Sequence, residues 1–324
     1  MKRRRPRHNP ARSTAPGTHL PVLLDATLAA LAPRPGETHV DCTAGFGGHA
    51  SALLRAVGPT GKVVVFDLDP ANLARVTQRL TEVGHPFVAH HLNFAGIAGA
   101  LAGEMVDGVL ADLGMSSMQV DDPERGFSYR RDGPLDMRMD PTRGRTAAEI
   151  LATIEADDLE RALRELADEE RAQYLAPKIV AAARAGQLQR TGDLATLLER
   201  ESGIKNWRLT PTAGKWETHP AAKTFQALRI LVNREIANLE QLLRMLPYVL
   251  KPGGRVAIIS FHSGEDRLVK AAFRDGQREG IYEATSEEPV RATYAERTEN
   301  PRSRSAKLRW ARRASNNDGS AQDG

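Results

Sequence analysis

Asp112-Leu113-Gly114-Met115-Ser116-Ser117 sets a carboxylate and two hydroxyls on one turn, directly after the apolar run Val106-Asp107-Gly108-Val109-Leu110-Ala111. Acceptors of this kind can hold the N–H bonds of an exocyclic amine, whose lone pair is otherwise delocalised into its ring. Proton loss can follow group transfer, so a strong base is not required and in-line positioning supplies most of the rate. Asp112 and Ser116 are therefore the candidate catalytic residues. The alternative for them is structural: Asp112 as a turn residue, Ser116 and Ser117 as a helix cap.

A second segment, Asp41-Cys42-Thr43-Ala44-Gly45-Phe46-Gly47-Gly48-His49, leaves a β-prone stretch and enters a helix. Glycines there permit positive φ and let a ligand approach the backbone closely. Asp67 ends the next apolar run, where a carboxylate can accept both ribose hydroxyls of an adenosine. The spacing Gly45-x-Gly47-x-x-Ala50 also fits a dinucleotide fingerprint, so spacing alone leaves two cofactors open. Asp41 discriminates. A carboxylate at the loop mouth repels a pyrophosphate and attracts a donor carrying an ammonium and a sulfonium, which favours S-adenosylmethionine over NAD. The competing reading is that Asp41 caps the loop's own amides. His49 is expected to open the helix beside the cofactor, with proton transfer as its second reading. Cys42, at the cofactor loop, reads as a small core residue rather than the nucleophile that carbon methylation needs.

These segments need strands to present them. Thr38–Thr43, Lys62–Asp67, Pro86–His90, Val106–Asp112 and Arg255–Phe261 read as strands, and helices are expected between them, the one after Asp69-Pro70 reaching Val83. Strands alternating with helices imply an α/β, Rossmann-like, doubly wound, mostly parallel sheet with ligands at the carboxyl ends of its strands. The rhythm breaks over residues 121–215, which contain no convincing strand. A helix capped by Asp157 with Glu160 at the box position, a break at Pro177 and a restart at Lys178 mark an inserted helical domain. The expected division is a disordered basic arm (1–18), a first part of the main domain (19–120), the insertion (121–215), a second part (216–285), a basic segment completing the core (286–314) and a disordered tail (315–324).

Composition bounds the partners. Residues 1–12 and 302–313 each carry six Lys/Arg and no acid, which leaves residues 13–301 with 33 basic against 39 acidic side chains. Basic ends on an acidic body suit a polyanion such as nucleic acid, or equally a pair of solvated tails. No apolar run is long enough to span a membrane, and no apolar stretch follows the basic start as a secretory signal requires. One cysteine permits no internal disulfide, there is no Cys-x-x-Cys metal motif, and a cytoplasmic protein is the simple reading.

Several stretches carry a resemblance. They are His19-x-Pro21-Val22-Leu23-Leu24-Asp25, Asp112-Leu113-Gly114-x-Ser116-Ser117-x-Gln119-x-Asp121, Glu124-Arg125-Gly126-Phe127-Ser128-Tyr129 and Gly133-Pro134-Leu135-Asp136-Met137-Arg138-Met139-Asp140. Thr224-Phe225-Gln226-Ala227-Leu228-Arg229-Ile230, Ser260-Phe261-His262-Ser263-x-Glu265-Asp266-Arg267 and Asn300-Pro301-Arg302-Ser303-Arg304-Ser305-Ala306-Lys307-Leu308-Arg309 follow in order. Over about residues 19–310 the chain resembles the MraW family of ribosomal RNA methyltransferases. The resemblance implies a class I methyltransferase fold with an inserted helical domain, S-adenosylmethionine as cofactor, and N4-methylation of a cytosine in the decoding centre of 16S ribosomal RNA. The partner would be that RNA within the small ribosomal subunit. By motif, the implied cofactor contacts are Gly47, Gly48, His49, Asp67, Phe94, Asp112 and Gln119, with Phe94 flanking the adenine. Gly264 stands where the family usually has Leu, and Met115 and Met118 replace the usual Val and Pro.

On the RNA side, Arg125, Phe127 and Arg138 are expected to form a lid or cleft wall. Arg130, Arg131, Arg143, Arg145 and Tyr129 would extend it into a basic band with interleaved aromatics, suited to flipped or single-stranded bases. Lys215, Trp216, His219 and Lys223 would add to the same wall. His262 either orients the base or ties its turn, and Arg302, Arg304, Lys307 and Arg309 are expected on phosphates. Three rivals are weighed: an NAD-dependent oxidoreductase, a non-catalytic RNA-binding factor, and a DNA amino-methyltransferase, whose usual Pro-Pro-aromatic motif is absent after Asp112.

Overall fold

The structure is a computed structural model that describes residues 21–203 and 219–315. It begins with α1 (Leu24–Leu31), β1 (Thr38–Asp41), α2 (Gly48–Val57), β2 (Lys62–Asp67), α3 (Pro70–Val83), β3 (Phe87–His91), α4 (Ile97–Ala100) and β4 (Val106–Asp112). Six helices follow: α5 (Ser117–Asp121), α6 (Ala147–Thr153), α7 (Ala156–Ala167), α8 (Ala172–Arg184), α9 (Thr191–Ser202) and α10 (Ala222–Asn233). Then come α11 (Glu235–Val249), β5 (Leu250–Ser260), α12 (Ser263–Arg278), β6 (Tyr282–Thr285), β7 (Val290–Arg291), α13 (Tyr294–Glu299) and β8 (Lys307–Arg313).

The strands form one sheet in the order β3-β2-β1-β4-β5-β8-β6, with β7 beside β8. β1 to β5 are parallel, and β8 runs antiparallel to both β5 and β6. β2 shows why this sheet lies inside. Val63 and Val65 join Leu53, Leu54 and Leu80 of α2 and α3 on one face, while Val64 and Phe66 join Leu239, Leu242 and Leu246 of α11 on the other. Apolar residues on both faces of a strand require two helical layers, which is the doubly wound arrangement. α3 is delimited locally: Asp69 caps it through the Ala71 N–H, Pro70 fills the first turn, and Gly84 at φ +76° ends it.

The five parallel strands match the sequence reading. β6, β7 and β8 do not appear in it, because a basic, mixed-charge segment does not alternate like a strand. Arg309 is only 3% exposed, and its Nε donates to Asp266 at 2.7 Å while Lys307 Nζ donates to the other oxygen at 2.8 Å. These two cations pin β8 to α12, which corrects their expected place on phosphates.

Between β4 and β5 the chain builds its own core from Phe127, Leu135, Met137, Leu151, Leu159, Leu163, Leu175, Ile179 and Leu194. Ala221, Phe225 and Leu228 share that cluster, so α10 packs with the inserted helices although the sequence reading grouped it with the second part of the main domain. Two local expectations change. α8 runs through Pro177, because Leu175, Ala176, Ile179 and Val180 are buried on both sides of it and hold the helix together. α7 starts at Ala156 after Glu155, which leaves Asp157 and Asp158 in the first turn, where the helix dipole favours them.

Candidate active site

The carboxyl ends of β1, β2 and β4 open on a cavity of about 490 Å3 lined by Phe46, Gly48, His49, Asp67, Phe94, Asp112, Ser116 and Gln119, among others. Its floor is a turn in which Gly47 N–H donates to Ala44 O at 2.7 Å. Gly47 sits at φ +74°, and a Cβ there would lie 2.7 Å from Val76 Cγ2, so only glycine brings α2 this close to α3. Gly47 itself is absent from the cavity lining.

Asp67 ties the floor to the wall. Its Oδ2 accepts the Gly45 N–H at 2.7 Å and its Oδ1 accepts the Asp69 N–H at 2.8 Å. Burial pushes it up to about 6, although these amides and Asn72 pull it back. Asp69 is buried in turn, capping α3 and accepting from Gln119 Nε2 at 3.1 Å and from Arg125. Gln119 Oε1 accepts the Ser116 N–H at 3.0 Å, while Ser116 Oγ caps α5. Ser116 therefore lines the cavity with its hydroxyl already engaged as a cap, one of the two readings left open above.

Asp41 corrects an expectation. Only 1% exposed, it lies beneath the cavity rather than at its mouth, and its Oδ1 accepts the Thr43 N–H at 3.0 Å. It caps its own loop. Burial, with Asp67 nearby, lifts it to about 7. The carboxylates that do reach the cavity are Asp67, Asp112, Glu235 and Glu265. Asp112 N–H donates to Thr43 Oγ1 at 2.6 Å, and Oδ2 stands 3.6 Å from His49 Nδ1. Its Oδ1 is buried without a hydrogen-bond partner among the described residues. Burial, then Asp41 and Glu265, push Asp112 well above the ordinary carboxylate range. His49 Nε2 bonds Val22 O at 3.0 Å, and burial pushes the ring down to about 4. Cys42 lines the cavity too, but burial and Asp41 push its thiol well up, away from a thiolate.

Arg229, Asn233, Glu235, Asn238 and Glu265 line the cavity and carry no role in the sequence reading. Arg229 and Glu265 lie inside two of the motifs quoted there, and a single charge within the mostly apolar Phe225-Gln226-Ala227-Leu228-Arg229-Ile230 was the available signal. Arg229 clasps Glu235 through two bonds of 2.8 Å. Glu265 Oε2 accepts the Phe261 N–H at 2.8 Å. Burial raises Glu265, but the adjacent His262 and that N–H carry it below its ordinary value.

The expected RNA wall is mostly corrected. Phe127 is 6% exposed inside the core of the insertion and cannot stack on a base. Tyr129 stacks on His219 at 4.4 Å and meets Phe225 edge-on. Arg125 spans from Asp69 to the carbonyls of Arg138 and Met139, a strut between the cofactor wall and the insertion. Arg138 forks onto Asp136 and Lys223 Nζ donates to Asp168 O, while Arg143 pairs with Asp140 and Arg131 with Asp121, and both of these arginines stay exposed. His262 ties its turn: it caps α12 and lies 3.2 Å from Glu265. Arg302 does line the cavity, 3.6 Å from Asp121, and Arg304 is exposed beside it. His19, Lys215, Trp216 and the basic arm lie outside the described residues.

An antiparallel last strand lodged between the fifth and sixth separates this sheet from the all-parallel order of dinucleotide-binding sheets. With its acid-ended second strand over a glycine turn, the chain falls in the class of S-adenosylmethionine-dependent methyltransferases. The MraW methylase family profile matches residues 17–314. The chain is 40% identical over 300 residues to the ribosomal RNA small subunit methyltransferase H of Acidobacterium capsulatum, covering 90% of this chain and 97% of that protein. It is 43% identical over 323 residues to the protein of that name in Halorhodospira halophila, covering 92% and 95%. The chain belongs to the MraW methylase family. Its cavity fits the cofactor: the size suits a nucleoside ligand, Asp67 presents a carboxylate at the end of β2, and acidic side chains line the region around Asp112. Among the described residues no helix is long and apolar enough to cross a membrane.

Proposed function

We propose that this protein methylates the exocyclic N4 of a cytosine in the decoding centre of small-subunit ribosomal RNA, in the cytoplasm. The observation that carries the reading is the unpartnered, buried Oδ1 of Asp112 in a cavity it shares with Asp67. The relatives' printed name, with its ribosomal RNA substrate, supports the polymer, and the motifs quoted above support the base.

In this reading Asp67 accepts the ribose hydroxyls, Phe94 flanks the adenine, and His49 and Gln119 complete the wall. Gly47 and Gly48 bring the backbone close. Bound there, S-adenosylmethionine would supply a methyl group on a positively charged sulfur, able to pass to the amine nitrogen with the carbon–sulfur electron pair kept by sulfur. Asp112 accepts an N–H of the target amine and turns its lone pair out of conjugation. Glu235 and Glu265 add negative potential on the same wall. The helices inserted between β4 and β5 form the RNA-facing side, and Arg302 and Arg304 meet phosphates at the mouth.

Asp112→Asn lowers methyl transfer by about 100-fold or more while the cofactor still binds. An unchanged rate in purified protein would remove Asp112 from the chemistry. Mapping modified nucleosides in ribosomal RNA from cells with and without the protein tests the base. Loss of N4-methylcytidine at one decoding-centre position is the expected result, and an unaltered map would overturn the assignment.

A further inference from the structure

We propose that Asp112 and His49 form a proton-holding pair: Asp112 keeps a proton in the free protein, gives it up when a sulfonium cation enters the cavity, and takes the proton shed by the acceptor amine once that charge is gone. The proposal rests on the reading of Asp112 given above and adds His49 as its positioning partner.

The geometry begins at Val22. Its carbonyl can only accept, so the His49 Nε2 that lies 3.0 Å away carries a hydrogen. With the ring held neutral by burial, Nδ1 bears a lone pair and lies 3.6 Å from Asp112 Oδ2, an electrostatic contact slightly longer than a hydrogen bond. A bare carboxylate oxygen and a bare ring nitrogen repel each other, whereas one proton between them makes the contact attractive. The Thr43 hydroxyl, 2.6 Å from the Asp112 N–H, keeps the backbone from turning the carboxyl away.

The charged groups facing Asp112 are acids: Asp41 below it on β1 and Glu265 from α12. The nearby cations are engaged elsewhere, Arg229 of α10 by Glu235 and Arg302 toward Asp121. A proton on Asp112 is therefore favoured in the free cavity and disfavoured beside a positive sulfur. Methyl transfer turns that sulfur into a neutral thioether. Asp112 regains its basicity at the step in which the methylated nitrogen has a proton to lose, and the proton passes from nitrogen to the carboxylate. No separate base is needed.

Calorimetric binding in buffers of different ionisation enthalpy counts the protons. S-adenosylmethionine should release about one proton per site near neutral pH, and S-adenosylhomocysteine, which lacks the sulfur charge, far fewer. Asp112→Asn should abolish the difference between the two ligands. His49→Asn, whose amide can turn a donor toward Asp112, should lower the pH at which release is half complete, and thermal melts confirm that both variants fold. Equal release by the two ligands, or a difference that survives in Asp112→Asn, would overturn the pair. Binding of neither ligand would overturn the cofactor reading itself, and the pair with it.

Discussion

At the carboxyl edge of the sheet, acidic residues are pinned by short bonds to nearby backbone and hydroxyl groups and still line the cavity. In the insertion, arginines and aromatics turn onto the protein itself. Asp67 accepts the Gly45 and Asp69 amides on its two oxygens, Asp112 is anchored by its own N–H on Thr43 Oγ1, and both still line the pocket. Arg125, Arg138 and Phe127 are consumed by Asp69, by Asp136 and by the insertion's core. The lesson concerns desolvation. An acid can be pinned by short local bonds and keep its function, whereas a buried arginine needs an acid and several carbonyls, which leaves little of it for a ligand. In the function proposed above, RNA contact on this side is assigned to the exposed cations Arg302 and Arg304 rather than to Arg125 and Arg138.

The comparison breaks most easily at Phe127. Phe127→Ala should cost about 3–5 kcal/mol of stability through the cavity left in the insertion. The fraction that folds should bind RNA as before, and a loss of RNA affinity at unchanged melting temperature would restore Phe127 to the RNA wall. Arg125→Ala comes next, at about 3 kcal/mol, because it leaves Asp69 a buried charge short of its partner. Its second readout sharpens the contrast between the regions: since Asp69 also holds Asp67 and Gln119, the KM for S-adenosylmethionine should rise although Arg125 does not line the cavity.

Asp67→Ala should weaken S-adenosylmethionine binding by about 100-fold, through two lost hydrogen bonds to a charged acceptor. Equilibrium binding checks it, and an unaltered dissociation constant would move the ribose elsewhere.

The buried acids also shape the pH dependence of stability. Asp41 and Asp67, lifted by burial to about 7 and about 6, bind a proton more tightly folded than unfolded. The stability they allow is present at low pH and is lost as pH rises from the usual carboxylate range through those values. His49 acts in the opposite sense. Burial takes it from 6.5 to about 4, so its stability is gained as pH rises across that interval. His49 and Asp67 are unchanged in an Asp41 variant, so comparing the two proteins isolates Asp41. Asp41→Asn should remove on the order of 2 kcal/mol of the stability lost by the ligand-free protein between about pH 5 and about pH 8. Denaturant melts at the two pH values decide it, and equal losses in both proteins would mean that Asp41 is ionised throughout. The smallest effect is expected at Arg304, where exchange for Gln should lower the salt slope of RNA binding by about one unit or less and leave stability unchanged.

The sequence by itself determined the parallel strands, the glycine turn, the acid at the end of β2, the acid at the end of β4 and the family. Each follows from residues a few positions apart: apolar runs that must be buried on both faces, a turn that only glycine enters, a proline and an aspartate that start a helix. Tertiary structure alone decided what each charged or aromatic side chain faces. Arg125 meets a carboxylate 56 residues away, Asp112 a hydroxyl 69 away, and Arg309 is drawn inside by Asp266. Arg229 and Glu235 reach the cavity from α10 and α11, which follow one another from the insertion's core to the sheet, and Glu265 reaches it from the first turn of α12. Local backbone geometry is set by near neighbours, but exposure is set by whatever distant surface the folded chain lays on top.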